Sequence, residues 1–106
     1  MDGRDTAPQG GIGYMQTLLD YIEASPIQLA TVCGRYYAMD RDHRWERIKL
    51  AYDLMVHQKG TYYQDPIEGL HASYKAGISD EFIHPIRCND ATIQAGDVVL
   101  FFNFRI

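Results

Sequence analysis

The stretch IQLATVCGRYYAMDRDHRWERIKLAYDLMVHQ, residues 27–58, decides the fold because it predicts a strand followed by a helix. Residues 27–33 are apolar and partly β-branched, which is typical of a short buried strand. Residues 43–58 carry apolar side chains at helical spacing, with Asp42 as the predicted N-cap and Gly60 just beyond the end. A strand that leads into a helix indicates an α/β fold.

Four arginines in the same stretch raise the question of an anion site. Arg35 lies where the predicted strand ends, and Arg41 lies just before the predicted helix. In open α/β sheets, ligands bind beyond the carboxyl ends of strands, and helix N-termini attract anions. A small-anion pocket and ordinary surface ion pairs both fit Arg35 and Arg41. We expect Arg44 and Arg47 to face solvent, and Trp45 to pack the helix onto the core.

Two further helices are predicted on either side of this stretch. Apolar residues recur at helical spacing from about Ile12, and Pro26 stops that pattern. Later in the chain, Asp65 is a candidate N-cap, Pro66 occupies the first helical position, and Gly77 follows the last turn. These positions predict a helix with well-defined ends.

Two more strands complete the predicted fold. Residues 82–87 form a short strand pattern that Pro85 interrupts, which favours a sheet edge. Residues 98–104 have the strongest strand pattern in the chain. Together these elements predict one α/β domain over residues 1–106, with a small sheet flanked by helices.

Composition narrows the classes of partner. At 106 residues and a net charge of −4, the chain has the size of one domain and lacks the basic face of a general nucleic-acid binder. The longest apolar run, residues 98–102, is too short to span a bilayer. With no secretory signature, we expect no membrane partner and a cytoplasmic location.

No reaction centre can be assembled from the residue pattern. The four histidines are scattered, and no serine has a recognisable base partner, so neither a metal ligand nor a catalytic residue is predicted. Tyr36 and Tyr37 beside the arginines leave one alternative open. The chain could be a free-standing module that binds phosphorylated metabolites or single-stranded nucleic acid.

The blocks that contain these arginines resemble one family, the cofactor-independent (2,3-bisphosphoglycerate-independent) phosphoglycerate mutases. The matching blocks are DGRDT at residues 2–6, ATVCGRYYAMDRD at 30–42, RW at 44–45, DEF at 80–82 and FFNFR at 101–105. They occur in the family's order across nearly the whole chain. The block at residues 30–42 is the most specific of them.

The resemblance implies a two-domain enzyme that interconverts 3-phosphoglycerate and 2-phosphoglycerate in glycolysis and gluconeogenesis. A phosphatase-like domain would carry a serine nucleophile, which becomes a phosphoserine, and two manganese ions. A transferase domain would hold the glycerate. This chain resembles the central part of the transferase domain, so we expect it to be a piece of a longer protein and inactive alone.

Roles for individual residues follow from the matched motifs. The resemblance implies that Arg4 and Asp5 contact the glycerate, and that Arg35 and Arg41 contact its phosphate or carboxylate. Arg105 matches the first arginine of another substrate-binding motif. The implied partners are the two phosphoglycerates and the phosphatase-like domain of the same chain. We also expect self-association, because a piece of a domain exposes surface that its missing parts would cover.

Overall fold

The computed structural model describes residues 1–102, in which short helices and strands alternate. The helices are α1 (Gly11–Ile22), α2 (Arg35–Ala38), α3 (Trp45–His57) and α4 (Pro66–Lys75). The strands are β1 (Thr31–Val32), β2 (Thr61–Tyr62) and β3 (Ile86–Arg87), and a 3-10 turn spans Asp80–Phe82.

The sheet is small and mixed, with the strand order β1-β3-β2. β1 runs antiparallel to β3, with Thr31 opposite Arg87, and β2 runs parallel to β3, with Thr61 opposite Ile86. The predicted α/β class, a small sheet flanked by helices, is confirmed. The prediction that Pro85 marks an edge strand was wrong. β3 is central, and Pro85 precedes it, where the proline carbonyl accepts the Thr61 N–H at 3.0 Å.

The core lies between the sheet, α1 and α4. Leu70 of α4 and Ile83 are completely buried. The full buried cluster comprises Met15, Val32, Leu70, Ile83, Ile86 and Cys88. Burying a large aliphatic side chain stabilises a fold by about 1.5–3 kcal/mol. The two-residue strands make too few hydrogen bonds to be stable alone, so this cluster is what holds them together.

The helices α1 and α4 follow their sequence patterns closely. The helix predicted from Ile12 begins one residue earlier, at Gly11. At α4, a side-chain oxygen of Asp65 accepts the Ile67 N–H at 2.9 Å, Pro66 is the first helical residue, and Gly77 has a φ of +80°. The predicted cap, first turn and end of α4 are therefore confirmed.

The helix α3 departs from its prediction at the N-terminus. It begins at Trp45, and Asp40 rather than Asp42 accepts the Arg44 N–H at 2.8 Å. Trp45 is 66% exposed, so the prediction that it packs on the core was wrong. The buried face carries Ala51 instead. Six residues, about one and two-thirds turns, separate Trp45 from Ala51, and their side chains leave different faces.

None of the three strand predictions holds over its full length, and the strand predicted at residues 82–87 is paired only over Ile86–Arg87. The strand predicted at residues 27–33 is paired only over Thr31–Val32, and the short helix α2 follows it without a predicted counterpart. Residues 98–102 form no strand, and their side chains are exposed, Val98 by 96%. The remaining predicted strand residues, 103 and 104, lie outside the described part of the chain. No helix within residues 1–102 combines the length and apolar character needed to cross a membrane.

Candidate functional site

The site is built around the 3-10 turn Asp80–Phe82, which we call the central turn and which packs against three glycines. A Cβ atom at Gly3 would lie 2.7 Å from the Glu81 nitrogen, and one at Gly34 would lie 2.7 Å from the Glu81 carbonyl carbon. A Cβ at Gly11 would lie 2.6 Å from Asp80 Oδ2. These distances exclude any side chain, so glycine is what lets three separate segments meet at the turn.

Asp80 anchors the central turn and is completely buried. Its Oδ2 accepts the Gly11 N–H at 2.7 Å, and its Oδ1 accepts a hydrogen bond from the Tyr74 hydroxyl. Its own N–H donates to the Pro8 carbonyl at 2.8 Å. Burial, and then the neighbouring carboxylate, raise the pKa of Tyr74 well above its usual range, so this phenol stays protonated. A buried carboxylate with both oxygens bonded is stable in this position.

A cavity of about 280 Å³ opens beside the central turn. This volume is close to the lower end of the range for small-molecule sites, roughly 300–1,000 Å³. Its lining is mostly charged and consists of Arg4, Arg35, Tyr36, Met39, Asp40, Arg41, Asp42, Arg47 and Glu81. Of the five residues predicted to contact substrate, the structure brings Arg4, Arg35 and Arg41 into this one cavity. Asp5 contacts Arg35, and Arg105 lies outside the described residues.

Arg35 is the most firmly held of these arginines. Its N–H donates to the Met1 carbonyl at 2.9 Å, and its Nη1 donates to a carboxylate oxygen of Asp2 and, at 3.0 Å, to Asp5 Oδ2. The hydrogen bond to Asp5, followed by the one to Asp2, raises the pKa of Arg35 above its usual value. The same guanidinium lowers the pKa of Asp2. Arg35 is thus a buried, fixed positive charge at the cavity wall.

Arg4 and Arg41 are held more loosely. The Arg4 side chain is 62% exposed, and its Nε lies 3.8 Å from Glu81 Oε1. Arg41 is exposed, and no carboxylate of residues 1–102 lies within 4.0 Å of its guanidinium nitrogens. Exposed ion pairs contribute about 0–1 kcal/mol, so a bound anion can replace Glu81 as the partner of Arg4 at little cost.

Arg47 belongs to the cavity, although the sequence predicts that it faces solvent. Its guanidinium carbon lies 3.9 Å from the centre of the Tyr36 ring, and its Nη1 lies 3.8 Å from Asp40 Oδ1. The Asp40 side chain is only 3% exposed. The prediction for Arg47 was wrong because helix α2 was missed, and α2 is what brings Tyr36 against α3. Arg44 is exposed, in agreement with its prediction.

The carboxylates of this region do not form a metal site. Within residues 1–102, no three His, Cys, Asp or Glu side chains come together as a set of ligands. Asp2, Asp5, Asp40 and Glu81 each face a guanidinium group instead. This donor set suits a small anion held by arginines, and it does not fit the two manganese ions that the resemblance implies for the longer enzyme.

Comparison with known families identifies the chain. The family model described as "BPG-independent PGAM N-terminus" matches residues 1–106, which is every residue of the sequence. The chain belongs to the BPG-independent phosphoglycerate mutase family. The resemblance that rested on the DGRDT and GRYYAMDRD blocks is therefore confirmed.

Relatives that carry this family's name match the chain over nearly its whole length. A 2,3-bisphosphoglycerate-independent phosphoglycerate mutase of Flavobacterium johnsoniae is 51% identical over 98% of this chain, and one of Flavobacterium psychrophilum is 54% identical over 98%. The chain covers 22% of each of these proteins. The counterpart in Bacteroides thetaiotaomicron is 51% identical over 99% of this chain, which covers 21% of it.

A solved structure supports the fold. The crystal structures of Leishmania mexicana phosphoglycerate mutase at low cobalt concentration match with a TM-score of 0.76 and 20% sequence identity. The match covers 91% of this chain and 20% of that one. The chain thus spans about a fifth of the length of the mutases it matches.

Proposed function

We propose that this chain is the substrate-binding part of a phosphoglycerate mutase that interconverts 3-phosphoglycerate and 2-phosphoglycerate. One observation carries the proposal. Three arginines from two family motifs some thirty residues apart line a single cavity, namely Arg4, Arg35 and Arg41. The place of the reaction in glycolysis and gluconeogenesis and the cytoplasmic location belong to the same proposal.

The charges of the cavity suit the chemistry of phosphoglycerate, which carries a phosphate, a carboxylate and a hydroxyl. Arginine binds both anionic groups bidentately, and an arginine held in advance loses less freedom when the ligand arrives. Arg35 supplies the fixed charge, whereas Arg4 and Arg41 can turn toward the ligand. Asp42 and Glu81, both at the cavity wall, are positioned to accept the hydroxyl hydrogen of the ligand.

In this proposal, phosphoryl transfer itself takes place on residues outside the chain. The resemblance implies a serine nucleophile and two manganese ions in a phosphatase-like domain, and the donor set described above offers no place for such ions. Residues 1–102 hold and orient the glycerate by ion pairs and hydrogen bonds. We therefore expect the 106-residue chain alone to show no turnover.

The proposal is tested with a full-length hybrid, in which residues 1–106 replace the matching segment of the Flavobacterium johnsoniae mutase. We expect the hybrid to convert 3-phosphoglycerate to 2-phosphoglycerate. Arg41→Ala should lower kcat/KM at least tenfold, since a hydrogen bond to a charged group contributes about 1.5–3 kcal/mol.

Arg87→Ala is the control for this measurement. Unlike the exposed Arg41, Arg87 is partly buried and paired with an aspartate, Asp90, so its loss disturbs the fold at least as much, but it lies outside the cavity lining. Its loss should leave kcat/KM within about twofold, or roughly 0.4 kcal/mol. An inactive hybrid, or equal losses for Arg41→Ala and Arg87→Ala, would contradict the proposal.

The alternative, a module that stacks bases of single-stranded nucleic acid, loses its main support at Tyr36. Arg47 covers one face of that ring, and Tyr37 and Phe82 pack around it, each with a ring centre 5.1 Å away. Base stacking needs an open aromatic face. Binding of an oligonucleotide by the 106-residue chain that Arg41→Ala abolishes, with no response to 3-phosphoglycerate, would reverse the ranking of the two functions.

A further inference from the structure

We propose that Asp2 is a positioning residue that couples the loop containing Arg4 and Asp5 to the guanidinium of Arg35. This inference rests on the proposed function, in which those arginines hold the phosphoglycerate. Asp2 was not among the residues that the sequence singled out for the site. Its part becomes visible only when residues 33 positions apart in the chain are brought together.

One carboxylate oxygen of Asp2 accepts the hydrogen bonds from both the loop and Arg35. Asp2 Oδ1 accepts the N–H groups of Arg4 and Asp5, each at 3.4 Å, the long end of the hydrogen-bond range. These bonds close the loop around Gly3, which has a φ of +70°. The same oxygen accepts the hydrogen bond from Arg35 Nη1. A single carboxylate therefore fixes both the loop and the arginine opposite it.

Asp2 and Asp5 both contact Arg35, but their surroundings differ. The Asp5 side chain is 76% exposed and reaches Arg35 through one hydrogen bond. The Asp2 side chain is 36% exposed and is tied to the backbone of its own loop as well. If Asp5 turns toward the glycerate, the contact that the family resemblance implies for it, Asp2 still holds Arg35. Asp2 is thus the permanent partner of Arg35, and Asp5 is the exchangeable one.

The consequence for catalysis is specific. Asp2 fixes the spacing between Arg4 and Arg35 on the cavity wall without touching the ligand. Weakening this support should loosen substrate binding in the ground state and the transition state alike. Such a change raises KM and leaves kcat nearly unchanged.

The first measurement uses the 106-residue chain and needs no activity. In Asp2→Asn the amide oxygen still accepts the Arg4 and Asp5 N–H groups, while the charge that holds Arg35 is gone. We expect rotation of the Arg35 guanidinium, seen by nitrogen-15 NMR of its Nη groups, to become faster in Asp2→Asn, although the hydrogen bond to Asp5 remains. Asp90→Asn, which removes a similar partner from Arg87, should leave the Arg35 signals as they were. Unchanged Arg35 rotation in Asp2→Asn overturns the inference.

The second measurement uses the full-length hybrid described above. We expect Asp2→Asn to raise KM for 3-phosphoglycerate about tenfold, equivalent to about 1.4 kcal/mol, with kcat within about twofold. Asp2→Glu, which keeps the charge, should recover part of the loss, and Asp90→Asn should not change KM. A hybrid that is inactive before any substitution contradicts the proposed function, and the NMR measurement still decides the role of Asp2. An active hybrid whose KM does not respond to Asp2→Asn contradicts the role of Asp2 alone.

Discussion

The central turn and residues 98–102 differ in a way that their sequences do not suggest. Residues 98–102 have the strongest strand pattern in the chain, yet in the structure they are unpaired and largely exposed. The central turn has no strong local pattern, yet Asp80 is completely buried and three glycines pack against the turn. In this molecule, contacts between distant segments therefore decide which residues are packed and buried, and local strand propensity has less influence.

The largest effect is expected where the central turn is packed most tightly. Gly34→Ala would force a Cβ against the Glu81 and Ile83 backbone and disturb the Gly34 N–H to Ile83 carbonyl bond of 2.8 Å. We expect the free energy of unfolding in urea to fall by about 3 kcal/mol or more, because backbone cannot yield as a side chain can.

Gly13→Ala is the matched control for that substitution. Gly13 lies in α1, and nothing stands within 4 Å of its added Cβ. An alanine there should stabilise the helix by about 0.5–1 kcal/mol. If the urea midpoint changed by the same amount for both substitutions, the central turn would not be packed more tightly than the rest of the chain.

The next largest effect should come from the anchor of the turn. Asp80→Ala leaves the Tyr74 hydroxyl and the Gly11 N–H without their partner, and we expect a loss of about 2–3 kcal/mol in unfolding free energy. The exposed Asp20 provides the control, since its replacement by alanine should change stability by less than about 0.5 kcal/mol. Similar losses at both aspartates would mean that Asp80 is not the anchor.

A smaller effect is expected from the ionisation of Tyr74. The folded state raises the pKa of this phenol above the value of about 10 that it has in an unfolded chain. The contribution of Tyr74 to the free energy of unfolding is therefore complete below pH 10. It is lost as the pH rises further, because the Tyr74 phenol loses its proton at a lower pH in the unfolded chain than in the folded one.

Tyr74→Phe isolates this effect from other groups that titrate at high pH. Cys33, whose pKa burial raises to about 11, is present in both proteins and cancels in the difference. The stability difference between the two proteins should stay constant from pH 7 to about 9.5 and change by at most about 1.4 kcal/mol per pH unit above that. A constant difference up to pH 11 would show that the Tyr74 pKa is not raised.

The smallest effect is expected in residues 98–102. Phe101 is 76% exposed, so Phe101→Ser should change the unfolding free energy by less than about 0.5 kcal/mol. It should, however, reduce any self-association, which we predict for this apolar run and which sedimentation velocity measures. A loss above 1 kcal/mol in the monomer would mean that the run packs against the domain after all.

The parts of the fold that the sequence predicted well are those controlled by neighbouring residues. The α4 helix has its cap at Asp65 and its stop at Gly77 within one short segment, and both were predicted. The position of Trp45 could not be predicted in the same way. Its exposure depends on which face of α3 packs on the core, and the buried Ala51 and Leu54 lie on a different face from Trp45.

In the candidate site, too, the features that depend on neighbouring residues were predicted and those that depend on distant residues were not. The grouping of Arg35 and Arg41 was predicted from the strand end and the helix start, although the strand itself has only two residues. The places of Arg47 and Asp2 were not predicted, because each depends on a partner far away in the chain, Tyr36 or Arg35. The roles of these residues in substrate binding stay predictions until the hybrids are measured.

The contact between the glycines and the central turn also sets the order of events during folding. Sixty-nine residues separate Gly11 from Asp80, and contacts over such distances form late. During synthesis at about 5–20 residues per second, Arg35 would leave the ribosome roughly 2–10 s before Ile83. Pulsed hydrogen exchange should show the Gly34 N–H becoming protected after the amides of α1. The cavity lined by the arginines is then among the last parts of the molecule to form, and an interrupted chain would contain the arginines without the cavity.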